Sequence, residues 1–262
     1  MRLDRYLVEK GYATGREAAK RLIDAGEVLV DGKMAKKPSL DVTERALVEV
    51  TAAPPKYVGR GGEKLEGALR LFEVSAEGLS ALDIGASTGG FTDCLLQHGA
   101  QSVVAIDAGV GQLHPSLLAD KRVTNIEKYN ARDLSGEDVG IHDLAVMDVS
   151  FISQTLILPH IPSALKKGGR LISLIKPQFE AGRCALNKKG IVKEPRHRIA
   201  AVARVLESAA EAGLYCLGLA PSPILGGDGN EEFLACFEMR EETVDNCHIQ
   251  IEKTVVKKEV TF

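Results

Sequence analysis

With 262 residues, 45% hydrophobic and 26% charged, the chain suits one large globular domain or a large and a small one. No apolar run approaches the roughly 20 residues that span a bilayer, and the charged start Met1-Arg-Leu-Asp-Arg-Tyr-Leu lacks a secretory pattern. Five cysteines without a Cys-x-x-Cys pair argue for reduced thiols in a cytoplasmic protein, against zinc or any other metal site and against a disulfide framework. The net charge of −3 conceals a division: Leu165 to Ile199 carries ten Lys and Arg against two Glu, +8, which leaves −11 elsewhere. Such a field steers a polyanion to one face, although a solvated loop and helix start would carry the same charges.

Residues 1–58 read as a separate module. Leu3, Leu7 and Val8 suit one face of a short helix. Thr14 is placed to cap a second helix whose buried side is Ala18, Ala19, Leu22 and Ile23. Gly26 ends it, and Val28-Leu-Val runs into an Asp31-Gly32 hairpin turn. Arg16, Lys20 and Arg21 fall on or beside the exposed helix face, and Lys33, Lys36 and Lys37 decorate the hairpin. Together with Arg2 and Arg5 they suit a surface that tracks phosphates.

Ala52-Ala-Pro-Pro55 reads as a linker, about 52–59, because paired prolines resist helix and strand alike. A second domain, 60–262, opens with Arg60-Gly-Gly-Glu-Lys64-Leu and a helix whose apolar face continues through Ala68, Leu69 and Phe72.

The stretch Ala81-Leu-Asp83-Ile-Gly85-Ala86-Ser87-Thr88-Gly89-Gly90-Phe-Thr reads as strand, glycine turn and helix start. Its spacing is not the dinucleotide fingerprint, because Ser87 stands where a pyrophosphate needs glycine. It fits better a loop for S-adenosyl-L-methionine, which has no phosphate; a glycine turn without a ligand is the alternative. A second apolar strand, Val103 to Asp107, ends in a carboxylate suited to both ribose hydroxyls. Strands follow at Val123 to Glu127, Asp143 to Asp148 and Arg170 to Lys176, with a helix expected from Thr155 to Leu165. A helix from Arg196 to Ala212 and strands Leu214 to Leu219 and Glu232 to Met239 complete the pattern. The tail from Thr243, with Ile249, Ile251, Val255 and Val256, is open between helix and strand. Such alternation predicts an α/β fold: a doubly wound, mostly parallel Rossmann-like sheet preceded by a small α+β domain. Its functional residues belong at strand C-terminal ends, where Asp83, Asp107, Asp148 and Lys176 fall, with Asn130 a candidate adenine contact.

Two resemblances follow. Arg2-Leu-Asp4-x-x-Leu7, Thr14-Gly-Arg16-x-x-Ala19-x-x-Leu22-Ile23-x-x-Gly26-x-Val28-x-Val30-x-Gly32 resembles the S-four-type RNA-binding domain, with Gly15-Arg16 replacing the usual Ser-Arg. Lys64, Asp148, Lys176 and Glu232 resemble the catalytic tetrad of FtsJ-type RNA 2′-O-methyltransferases. The whole chain resembles the hemolysin A (TlyA) family, which joins those two domains. Asp148-Val-Ser-Phe-Ile-Ser, Lys176-Pro-Gln-Phe-Glu and Gly229-Asn-Glu-Glu232-Phe carry the match beside the glycine turn and the Lys64 segment.

The resemblance implies ribose methylation of a cytidine in ribosomal RNA, of the large subunit and in some members also the small one. The start at Met1 without a basic extension leans toward the single-site form. It implies a cofactor site of Asp83, Gly85, Ala86, Ser87, Thr88, Gly89, Gly90, Asp107, Asn130 and Asp148, and RNA contacts extending to Arg60, Arg183, Lys188 and Lys189. The partner would be ribosomal RNA or a ribosomal subunit, met by a monomer without membrane attachment. A ribose hydroxyl is a poor nucleophile, so the enzyme must supply position and a proton acceptor. Lysine accepts a proton only when neutral, which a second cation favours and carboxylates oppose. On that basis Lys176 is the base, Asp148 its orienter, Lys64 the hydroxyl positioner and Glu232 an outer anchor. The competing classes are a membrane-lytic protein, which no amphipathic segment supports, and a non-catalytic ribosome-assembly factor.

Overall fold

The computed structural model describes residues 1–262 except Thr14, Glu44, Pro54, Gly227, Asp228, Glu241, Glu242, Thr243 and Cys247. The expected Thr14 cap, the first linker proline, the start of the tail and the fifth cysteine therefore lie outside the described residues. The chain divides into two units, Met1–Arg60 and Gly61–Phe262.

In the first unit, α1 (Leu3–Glu9) and α2 (Arg16–Asp24) pack on a three-stranded antiparallel sheet of order β2-β1-β3. Its strands are β1 (Val28–Val30), β2 (Lys33–Met34) and β3 (Val48–Val50). Val30 pairs with Lys33 across the two-residue loop Asp31-Gly32. Both loop residues have positive φ, 51° and 72°, the geometry that an Asp-Gly hairpin turn supplies. Leu3, Leu7, Ala19, Ile23 and Val28 form the core, as their spacing requires. The strand β3 has no counterpart in the sequence reading; three residues with a charged centre carry too little pattern.

The second unit opens with α3 (Gly61–Leu71), followed by β4 (Ser80–Ile84), α4 (Gly90–Gln97), β5 (Ser102–Asp107), α5 (Pro115–Leu118), β6 (Val123–Glu127), α6 (Gly136–Val139) and β7 (His142–Met147). Then come β8 (Leu165–Ile175), α7 (Pro177–Glu180), α8 (Pro195–Glu211), β9 (Leu214–Pro221) and β10 (Phe233–Met239). The seven strands form one sheet in the order β6-β5-β4-β7-β8-β10-β9. The first five run parallel, and β10 lies antiparallel between β8 and β9. Strands buried on both faces need near-continuous apolar runs, and Leu82, Ile84, Met147, Leu171, Ile175, Phe233 and Phe237 make the shared core. Strand order reverses between β4 and β7, and the carboxyl ends of such a switch point open a ligand crevice. Because β10 is antiparallel, its amino-terminal end reaches the same edge, with Phe233 opposite Ile175.

One expected element is different. The segment 155–165 is not an α-helix but two 3₁₀ turns, Gln154–Leu156 and Leu158–Ser163. Pro159 and Pro162 remove backbone donors and crowd the preceding turn, so an α-helix cannot run through. The strand after it starts at Leu165 rather than Arg170. In the tail, Lys253–Lys257 forms a π-helical turn and Thr261 bridges to Leu219.

Candidate active site

Two glycines shape the turn after β4. Gly85 has φ +83°, and a Cβ there would lie 2.8 Å from the Asp148 carbonyl oxygen. Gly89 has φ +92° and caps α4, where a Cβ would run into Leu117 and Leu113. Both positions combine left-handed backbone with close approach, so only glycine fits without strain. The turn is held by Gly85 N and Ala86 N, which donate to Ile106 O at 2.9 and 3.1 Å. Ser87, exposed and with φ +50°, donates its N–H to Asp107 Oδ2 at 2.8 Å. The other Asp107 oxygen accepts from Gly109 N at 2.7 Å. Thr88 is exposed and its carbonyl accepts from His114 N; Gly90 opens α4 and is buried.

Asp83 lies inside β4 rather than at its end and is fully buried. Its Oδ2 accepts from Thr92 Oγ1 at 2.6 Å, whereas Oδ1 has no hydrogen-bond partner among the described residues. Burial is the main cause that pushes its carboxyl up to about 7. A cleft of about 430 Å³ opens beside this turn, lined among others by Gly85, Ser87, Asp107, Asn130, Asp148 and Phe151. A glycine cradle, an orphaned buried carboxylate oxygen and a second carboxylate at the strand end fit S-adenosylmethionine, whose amino group and sulfonium are cationic and whose ribose carries two hydroxyls. Asn130 is exposed at the cleft, and its Oδ1 accepts from Arg132 N at 3.2 Å.

The four polar residues of the expected cluster form two ion pairs at the same sheet edge. Lys176, directly after β8, places Nζ 2.6 Å from Asp148 Oδ1, directly after β7. The aligned hydrogen bond of that ammonium goes to Ser150 Oγ at 2.8 Å. Asp148 N donates to Ile84 O, which fixes its backbone to β4. Lys64, in the first turns of α3, places Nζ 2.5 Å from Glu232 Oε2, just ahead of β10. The pair is enclosed, with Lys64 8% and Glu232 4% exposed. Gln178 donates to the other Glu232 oxygen at 3.2 Å. Glu232 is thus the direct counter-ion of Lys64 rather than an outer anchor. The helix of Lys64 also reaches the other pair, since a Cβ on Gly61 would lie 3.6 Å from Asp148 Oδ2.

Phe151 was not among the candidate residues. It is 93% exposed, has φ +65°, and its ring centroid lies 5.1 Å from that of Phe179. An aromatic held outward in a left-handed conformation beside a reactive cleft is an outlier that suggests function. Its place three residues after Asp148 was visible in sequence, but periodicity does not distinguish an exposed phenylalanine from a core one.

The expected RNA contacts are exposed but not all free. Arg2 and Arg16 both pair with the buried Asp4, each at 2.9 Å, and hold its carboxyl well below the usual range. Arg5 pairs with Glu9 at 2.7 Å. Lys20, Arg21, Lys33 and Arg60 are exposed, as are Arg183, Lys188 and Lys189 in the segment after α7.

Comparison with known proteins gives a consistent picture. The model of the FtsJ-like methyltransferase family matches residues 57–239, and that of the S4 domain matches residues 1–48. The chain is similar to the 16S/23S rRNA (cytidine-2′-O)-methyltransferase TlyA of Mycobacterium tuberculosis, 43% identical with 88% of this chain and 87% of that protein covered. It is also similar to Hemolysin A of Brachyspira hyodysenteriae, 42% identical over 90% of this chain and 99% of the relative. Among solved structures, a hemolysin-designated protein from Streptococcus thermophilus superposes with a TM-score of 0.81 at 40% identity, covering 98% of this chain and 95% of that one.

Proposed function

The chain belongs to the TlyA (hemolysin A) family of FtsJ-like methyltransferases, and from that membership we propose that it methylates the ribose 2′-hydroxyl of a cytidine in ribosomal RNA, that of the large subunit first. The observation that carries this reading is the meeting of the Lys176–Asp148 and Lys64–Glu232 pairs beside the Gly85 turn. When bound, S-adenosylmethionine supplies a sulfonium methyl that needs only an in-line nucleophile. The residues of the chain do the rest. Asp107 and Asn130 would hold the adenosine end, and the Gly85 turn would leave room for the cofactor to approach the backbone. Lys64 positions the hydroxyl, with Glu232 fixing its ammonium group. Asp148 and Ser150 orient Lys176, whose Nζ takes up the 2′-hydroxyl proton after the ammonium group has given one of its own to solvent. Phe151 offers an exposed ring on which an unstacked base can lie, a contact worth about 1–3 kcal/mol in single-strand recognition.

The deciding experiment is a ribose-methylation map of total ribosomal RNA with and without the protein. One cytidine position that loses its methyl group supports the reading; an unchanged map with intact ribosome binding leaves an assembly factor. No helix among the described residues is long and apolar enough to cross a membrane, so nothing in the helices favours lysis by spanning.

Asp83 gives a pH-dependent prediction. Its folded value of about 7 lies above the ordinary 3.8, so its neutral form favours folding below about pH 4, and that contribution fades as pH rises through 7. Above that, the buried charge costs on the order of 4 kcal/mol. A cationic cofactor nearby favours the charged form. S-adenosylmethionine binding at pH 6.5 should therefore release protons, and Asp83→Asn should abolish the release. Calorimetry in two buffers of different ionisation enthalpy reads this directly; equal apparent enthalpies in both would remove Asp83 from the cofactor site.

The first unit should supply RNA affinity. Arg16 is a poor probe, since Arg16→Glu would set a second carboxylate against buried Asp4. Reversing Lys20, Arg21 and Lys33 to Glu should weaken binding to ribosomal RNA and lower the salt slope by about one per lost phosphate contact. Unchanged affinity at every salt concentration would turn this face toward another partner.

A further inference from the structure

Two segments after adjacent strands, Asp148–Ser153 and Lys176–Glu180, face each other along their whole length. At the front Asp148 meets Lys176 at 2.6 Å; midway the rings of Phe151 and Phe179 lie 5.1 Å apart. At the back Ser153 Oγ donates to Glu180 Oε2 at 2.5 Å, and Gln154 N donates to Glu180 Oε1 at 2.8 Å. The closure continues inward. Gln154 Nε2 donates to Leu174 O and Gln154 Oε1 accepts from Ser173 Oγ, both at 2.6 Å, so this loop is bound to the strand that ends at Lys176. Arg204 of α8 donates to the Glu180 carbonyl oxygen at 2.5 Å. Glu180 is 3% exposed and Gln154 1%. A carboxylate so enclosed is accommodated only by its donors. Burial pushes its carboxyl up, and Ser153 and Gln154 pull it back.

We propose that Glu180 is a positioning residue whose carboxylate clasps the Asp148–Ser153 loop to the Lys176 turn. It thereby sets the separation of Asp148 from Lys176 and holds Phe151 outward in its left-handed conformation. Such a conformation persists only where the surroundings fix it, and the bonds at residues 153 and 154 lie two and three positions from it. Glu180 is not among the residues lining the cleft, and its carboxylate bonds, among the described residues, to Ser153 and Gln154, so it acts through the two loops. The kinetic part of this inference rests on the methyltransferase reading above; the structural part does not.

The test uses the full chain with large ribosomal subunits lacking the modification. Glu180→Ala should lower the single-turnover rate at saturating ligands by about 100-fold, the scale of a small misplacement of reacting groups. Its S-adenosylmethionine affinity should fall far less than the rate, because the Gly85 turn and Asp107 keep their own hydrogen bonds while only the Asp148–Ile152 part of the cleft loosens. Glu180→Gln should restore most of the rate, since its amide oxygen accepts from Gln154 N and its NH₂ donates to Ser153 Oγ. Amide exchange across residues 149–154 should quicken in the alanine variant and not in the glutamine one. If Glu180→Ala fails to fold, Ser153→Ala, which removes one of the two clasp bonds along with the Ser153 contacts to Thr155, should show a smaller loss of rate with the same local exchange. A folded Glu180→Ala, or failing that Ser153→Ala, with normal exchange and normal rate would overturn the proposal. Absence of methylation by the wild type would count against the function instead, and the exchange measurement would still decide the clasp.

Discussion

Lys176→Ala is expected to cut methylation by about 10²- to 10⁴-fold, the range for loss of a positioned general base, with both ligands still bound. The lysine follows β8, which is paired on both sides by β7 and β10, so its backbone has little freedom. Its ammonium group is fixed by Asp148 at 2.6 Å and Ser150 at 2.8 Å, and the residue is 9% exposed. An interaction made mainly in the transition state lowers the rate constant without weakening ground-state binding. Lys176→Met keeps the side-chain length and should be as slow as alanine. Lys176→Arg should not rescue: guanidinium stays protonated, and its fork suits the Asp148 carboxylate better than a hydroxyl. Single-turnover methylation over a range of pH, with RNA and cofactor saturating, reads all three. Near-normal rates for Lys176→Arg would exclude Lys176 as the base and leave it a positioning role.

The sheet, Asp148 and Lys176 were legible because they rest on strong local signals, whereas Lys64 and Glu232 joined them through the family resemblance. Apolar runs such as Leu171 to Ile175 admit little besides a buried strand, and polar residues directly after them fall at strand ends by construction. The Asp-Gly turn announced its hairpin. What was hidden depends on the third dimension. Sequence reasoning has Asp148 orient Lys176 but places Glu232 only as an outer anchor, and in the fold Glu232 is the partner of Lys64. The spacing of Arg16 puts it on or beside an exposed helix face, and only the fold sets Asp4, twelve residues away, against it. The prolines at 159 and 162 were in plain view, yet the apolar residues around them suggested an α-helix that those rings do not permit. Phe151 and Glu180 sit inside recognised motifs with no pattern to tell an outward ring or a buried clasp from ordinary packing.

Glu232→Ala is expected to be severe in two separable ways, since it strands a lysine that is only 8% exposed. Breaking a buried pair by removing one partner typically costs about 3–5 kcal/mol, because the remaining charge is left without compensation. For a unit of this size that corresponds to a fall in Tm of roughly 10 °C. The site offers no easy replacement: a Cβ on Gly226 would already lie 2.4 Å from Glu232 Oε1, so the loop backbone closes directly over the carboxylate. Gln178, which donates to the same oxygen, would lose its acceptor as well. Stability and chemistry part company in the double variant Lys64→Met/Glu232→Leu. Replacing a whole buried pair by apolar groups is often neutral or stabilising, so its Tm should return toward wild type. Its methylation rate should not return, because the group that holds the ribose hydroxyl is gone. Thermal denaturation and single-turnover methylation on the two single variants and the double one complete the cycle. Recovery of both Tm and rate in the double variant would make the Lys64–Glu232 pair a structural strut and leave Lys176 and Asp148 to carry the reaction alone.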